Sequence, residues 1–112
     1  MEKEVSCKSY AVSDRFFESR AQVYDYSVIT FGYFQAERYN QQIEKAIETL
    51  SDFYCAYPEC RPLATKSRRY RNIILDAHLI IYRITEARIE VLDIIHSASS
   101  SRKIRQVRKI QL

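Results

Sequence analysis

The sequence predicts an α+β domain: an N-terminal strand, an antiparallel helical hairpin, then a three-stranded antiparallel meander, with the helices packed on one face of the sheet. Three observations predict it. Apolar residues recur at steps of three and four through the first half of the chain. Beyond Pro62 the apolar period shortens to two, in segments rich in Ile and Tyr. The only glycine, Gly32, stands between the two helical stretches, where a left-handed helix end is wanted.

Each element follows in order. The short alternating stretch "KSYAVS" (8–13) reads as a strand, and Ser13 or Asp14 is placed to cap the helix after it. The first helix carries the stripe Phe17, Ala21, Tyr24, Val28 and Phe31. The second carries Ala36, Tyr39, Ile43, Ala46 or Ile47, Leu50 and Phe53, and Pro58 stops it. Two such stripes joined by a few residues make a helical hairpin. "RRYRNIIL" (68–75), "HLIIYRIT" (78–85) and "RIEVLDIIH" (88–96) supply the strands, with "TEAR" (85–88) as the turn between the last two.

At 112 residues the chain is one domain, read here as 1–100 with a basic C-terminal tail, 101–112. Its opening, "MEKEVSCKSY", lacks the apolar core of a signal peptide, and no apolar run is long enough to span a membrane. A cytoplasmic location with no membrane partner is expected. Cys7, Cys55 and Cys60 form no C-x-x-C pair, which fits reduced thiols. A zinc site from Cys55, Cys60 and a histidine has no common ligand spacing to support it. There is no Gly-rich phosphate loop, nucleophile elbow or metal motif, so no cofactor is implied.

Charge separates the chain into halves. Residues 1–59 hold 6 Lys/Arg against 10 Asp/Glu, and residues 60–112 hold 12 against 4. Most of the excess lies in two acid-free runs, "RPLATKSRRYR" (61–71) and "SRKIRQVRKIQL" (101–112). Such runs mark either a site for nucleic acid or an acidic protein segment, or a solvated surface with a frayed tail. Arg68, Arg69 and Arg71 in the first run, and Arg102, Lys103 and Arg105 in the second, are the candidate target-binding cations. Arg83 points away from the face of Ile80, Tyr82 and Ile84 by alternation. It is either a further target contact or the cross-strand partner of Asp93 or Glu90, and the pairing is favoured. In the tail, Ile104, Val107 and Ile110 form a weak apolar stripe beside Arg102, Arg105 and Arg108. A C-terminal segment of this kind is usually mobile, so deletion after Ser101 is expected to spare the fold. Of the nine tyrosines, Tyr24, Tyr39 and Tyr82 fall on core stripes. Tyr26, Tyr33, Tyr54, Tyr57 and Tyr70 are expected to leave apolar surface for a partner.

The ordered set "YAVS", "FGYFQAERY", Arg61–Pro62, "HLIIYRI" and "IEVLDIIH" resembles the RelE/ParE superfamily of bacterial toxins, the ParE branch most, over nearly the whole chain. The resemblance implies the toxin of a type II toxin-antitoxin module, neutralised by a cognate antitoxin. ParE-like members of the superfamily poison DNA gyrase, and RelE-like members cleave messenger RNA on the ribosome. The two activities need different residues. Cleavage through the 2′-hydroxyl needs an acid, a base and cations at the scissile phosphate. RelE-like toxins typically carry an arginine where this chain has Leu79, and a late tyrosine where this chain has none after Tyr82. His96 is then the one acid/base candidate of that kind, although ParE-like chains often carry a histidine there without nuclease activity. After it ParE-like chains have a short segment with Arg or Met and Asp, whereas this chain has "SASSSRK". The expectation is a ParE-like toxin that inhibits gyrase by binding. The alternatives are a ribosome-dependent mRNA endoribonuclease using His96, or a decayed, non-toxic antitoxin-binding protein.

Overall fold

The computed structural model describes residues 7–112, so the first six residues of "MEKEVSCKSY" lie outside the described residues. The elements run β1 (Tyr10–Val12), α1 (Asp14–Phe31), α2 (Tyr33–Glu48), α3 (Leu50–Phe53), a 3₁₀ turn (Arg61–Leu63), β2 (Tyr70–Ile74), β3 (His78–Ile84), β4 (Ile89–His96), α4 (Ser101–Gln106) and a 3₁₀ turn (Val107–Lys109). The sheet order is β1-β4-β3-β2. The β2–β3–β4 meander is antiparallel, and β1 joins it parallel to β4. The fold is thus α+β, with the helical hairpin on one face of the sheet.

Ser13, not Asp14, caps α1. Its Oγ accepts from the Phe16 N–H at 3.0 Å and donates to the Leu92 carbonyl at 2.6 Å, so one buried hydroxyl ends the strand, starts the helix and ties both to β4. Gly32 alone separates α1 from α2. Its φ of +92° is a conformation L side chains rarely adopt, and it lets the chain reverse within one residue.

The main core lies between hairpin and sheet. Phe16, Ile43, Ile47 and Leu50 meet Ile80, Tyr82, Ile89 and Val91, all buried. The α2 stripe is as expected up to Leu50, but Phe53 is exposed. On α1 the buried stripe is shifted by one residue. Phe16 is buried and Phe17 is 57% exposed, and Val23 and Ser27 take the inward places rather than Ala21 and Phe31. The adjacent pair Phe16–Phe17 allows either phase. Tertiary contact selects Phe16, while Tyr24 uses the flank of the helix to donate its hydroxyl to Glu37 of α2.

A second, smaller core covers the other face, as alternation along β3 requires. Ile81, Leu92 and Ile95 pack with Cys60 and Leu63 and, from the C-terminal segment, Ile104 and Val107. The segment expected to be dispensable is therefore built in. Ser100 caps α4 by accepting from the Lys103 N–H, and Ile104 and Val107 are 6% and 3% exposed. Truncation after Ser101 would strip a core face, which reverses the expectation that the fold survives it. Ile104→Ala alone should cost about 2–4 kcal/mol, read as a lower urea midpoint at unchanged slope. An unchanged midpoint would mean that the packing carries no stability.

Two expectations about tyrosines are corrected. Tyr54 and Tyr70 are buried and leave no surface for a partner, whereas Tyr26 and Tyr33 are exposed. The Tyr54 side chain packs into the main core, where its own carbonyl also accepts the hydroxyl of Tyr82 at 2.6 Å, and the second core closes over Tyr70. Among the described residues no helix is long and apolar enough to cross a membrane.

Candidate functional site

A groove of about 650 Å³ opens where the hairpin passes the ends of β3 and β4. Val23, Tyr26 and Phe31 of α1 line it, with Tyr39 of α2. Its floor carries His78, Asp93 and His96, and the cations Arg15 and Lys103 also line it. A bulge in the sheet arranges this floor. Arg83 faces Glu90 and Tyr82 faces Val91, but Ile81 faces Asp93, so Leu92 is an extra residue on β4. Without it His78 would stand opposite Ile95. With it His78 stands opposite His96, and the two rings lie 5.5 Å apart, edge to face.

The hydrogen bonds fix much of the protonation. His96 Nδ1 accepts from the Ala98 N–H at 3.0 Å, so in the neutral ring the proton sits on Nε2. His78 Nδ1 lies 2.8 Å from the Tyr39 hydroxyl. Burial, then the neighbouring His96, pushes the His78 pKa below the ordinary histidine range, and burial pushes that of Tyr39 up. Both shifts favour the uncharged side chains. Asp93 is 4% exposed and holds its own Ile94 N–H at 2.8 Å. Burial raises its pKa, opposed by the Ser19 hydroxyl, the Ile94 N–H and the charges of Arg15 and Lys103.

A pH dependence follows from His78. Its folded pKa lies below the unfolded value of about 6.5, so protonation favours the unfolded chain. Stability is unaffected above that value and falls as pH drops through it toward the folded pKa. The urea midpoint of the parent should therefore decline between pH 7 and pH 5, and that of His78→Gln should decline less. Equal slopes would remove His78 as the cause. Glu90 acts in a lower window. Burial raises its pKa, but Arg83 and Arg88 outweigh burial and hold it below the usual range, so its contribution is lost only in acid.

The candidate target-binding cations fall into two groups. Arg83 is engaged. It bonds Glu90 at 2.6 and 2.9 Å and donates to the Ile110 carbonyl at 3.3 Å, which straps the C-terminal segment to β3. The pairing is with Glu90, the residue opposite in the register, while the bulge carries Asp93 off to the groove. Arg71 is engaged too, donating to the carbonyls of Cys55, Tyr57 and Arg68. Arg68, at a φ of +55°, makes a loose ion pair with Glu59 at 3.7 Å. Arg69, Arg102 and Arg105 are exposed and have no ion pair among the described residues. Lys103 sits apart from them on the groove.

Neither His78 nor Asp93 was a site candidate in the sequence. A count back from the "TEAR" turn brings His78 within one position of His96, and that near-coincidence is the signal available. No group of three or more His, Cys, Asp or Glu that could hold a metal occurs among the described residues. Cys60 is buried in the second core, where desolvation pushes its thiol up to about 11 and disfavours the thiolate.

The family model described as the ParE toxin of type II toxin-antitoxin system, parDE, matches residues 10–100. A solved structure of a chromosomal ParDE TA system from P. aeruginosa superposes with a TM-score of 0.66 at 16% sequence identity, covering 80% of this chain and 96% of that one. That likeness concerns the fold. A comparison with curated proteins by sequence gave no match.

Proposed function

The chain belongs to the ParE toxin family of type II toxin-antitoxin systems, and on that premise we propose that it is a toxin that inhibits DNA gyrase by binding it and is neutralised by a cognate antitoxin. The observation that supports binding over chemistry is Leu79. RelE-like ribonucleases typically carry a phosphate-holding arginine there, and in this chain the leucine packs against the second core. A leucine cannot stabilise the charge that develops on a scissile phosphate. The exposed surfaces suit a binding role instead. The tip of the hairpin presents Ile29, Phe31, Tyr33 and Phe34 at 59–85% exposure. An apolar patch of this kind marks a protein interface.

The antitoxin is the partner assigned to that tip. A stable complex buries upward of about 1,200 Å² in total, and the apolar tip adjoins, through Phe31, a groove of mixed polar and apolar lining that extends the surface open to it. The test uses the purified protein with gyrase and relaxed plasmid. Loss of supercoiling that returns when the co-encoded antitoxin is added is the expected result. Supercoiling unaffected by an excess of toxin would overturn the gyrase assignment. Elution of the toxin alone, after co-expression with the neighbouring small frame, would overturn the antitoxin.

One observation favours a second reading. His78 and His96 adjoin each other in a groove that Arg15 and Lys103 also line, which brings two imidazoles and two cations together. On the ribonuclease reading, His96→Ala lowers messenger cleavage by about 10² or more with target binding unchanged. On the binding reading, the same change removes one hydrogen bond, about 1 kcal/mol, and toxicity persists. Mapped messenger cuts lost in His96→Ala would decide for the enzyme.

A further inference from the structure

The two acid-free basic runs, some forty residues apart in sequence, are brought together by the second core. Leu63 of the first run packs with Ile104 and Val107 of the second, so α4 lies against the Arg61–Leu63 turn. With the apolar side of each run turned inward, the cations are left outside. Arg61, Lys66 and Arg69 are exposed on one run and Arg102, Arg105 and Lys109 on the other. None of the six makes an ion pair among the described residues. The acids nearest in sequence and register are already committed. Glu59 pairs with Arg68, and Glu90 is held between Arg83 and Arg88.

We propose that this face binds the phosphate backbone of a duplex nucleic acid. Its composition favours that ligand over an acidic protein segment. A protein interface needs a desolvated apolar or aromatic anchor. The exposed large hydrophobics of the second half are Ile74, at the end of β2, and Leu112, neither of them aromatic, so the face has no exposed aromatic anchor. The same lack argues against single strands, whose binding rests on stacking bases on aromatic rings, and Tyr70, the aromatic within the first run, is buried. A duplex needs no anchor, because cations neutralising its phosphates release condensed counterions. Binding through such a face is independent of base sequence and strongly dependent on salt. It requires neither gyrase nor antitoxin, so it stands or falls separately from the assignments above.

The experiment is fluorescence anisotropy of the full chain with labelled duplex DNA and, in parallel, duplex RNA of equal length, over a series from low to physiological salt. Sequence-independent binding that weakens linearly on a log–log salt plot is expected, and the tighter duplex identifies the cellular source. Arg102→Glu with Arg105→Glu should weaken binding at least about 10-fold and make the slope shallower by about 2, roughly one per arginine. The neutral pair Arg102→Gln with Arg105→Gln should show the same slope change, and thermal melts confirm that both variants fold. Arg38→Glu, on the hairpin, should leave binding unchanged. Absence of binding at low salt overturns the proposal. So does an equal loss in Arg38→Glu, tighter binding of single strands, or equally tight binding of a polyglutamate peptide of matched charge.

Discussion

Replacing Phe16 with alanine is expected to cost about 3–5 kcal/mol of folding free energy, the largest loss for any single side chain in α1. The ring is fully buried between α1 and the sheet. It sits in the first turn, beside the Ser13 cap that ties the helix to β4. A domain of this size has about 5–15 kcal/mol in total, so the variant should be partly unfolded at 37 °C. It should lose toxicity without any change to the hairpin tip, the groove or the basic face. Antitoxin in excess should restore its thermal midpoint, because a ligand that binds only the folded chain stabilises it by mass action. Urea denaturation decides the matter. A loss under about 1 kcal/mol would show that α1 is held elsewhere.

The second large effect belongs to the surface and not to the core. Ile29 and Phe34 are 85% and 82% exposed at the turn between α1 and α2. The double substitution Ile29→Asp with Phe34→Asp should weaken antitoxin binding at least about 100-fold, since central apolar anchors dominate interface energetics and each would present a desolvated charge to its pocket. The thermal midpoint of the free toxin should hardly move, because both side chains are largely exposed and Phe34 meets only the ring of its exposed neighbour Tyr33, edge to face. Titration calorimetry with the antitoxin reads the first quantity, and a melt reads the second. Unchanged affinity would place the antitoxin elsewhere.

The sequence showed the strand and helix periods, a cap at Ser13 or Asp14, the reversal at Gly32 and the meander, because each depends on local pattern. It did not show the phase of α1. Phe16 and Phe17 satisfy the same periodicity, and polar Ser27 shares the buried face, which hydropathy does not anticipate. The α2 face of α1 was hidden for a similar reason. Arg20 reaches across to Asn40 and Glu44, a polar seam no apolar stripe reveals. That Arg83 pairs with a carboxylate of the neighbouring strand was legible from alternation, with Asp93 and Glu90 both open, and the register selects Glu90. The groove was not, because the Leu92 bulge that aligns His78 with His96 adds one residue without any glycine or proline to announce it. The second core escaped notice because its apolar members in the C-terminal run, Ile104 and Val107, are sparse among cations. Their burial depends on a partner, Leu63, about forty residues earlier.

The parallel pairing of β1 with β4 sets a schedule for the newborn chain. Tyr10 aligns with Ile89 and Val12 with Val91, and the Ser13 hydroxyl waits for the Leu92 carbonyl. Translation therefore delivers the first strand long before its neighbour. The hairpin can coil early from local contacts, but the sheet closes only when β4 has emerged, a long-range step that slows folding. The apolar inner face of α1 stays uncovered until β4 has emerged. Nonsense fragments ending before residue 89 lack the strand that completes the sheet, so premature termination yields aggregation-prone pieces and no poison.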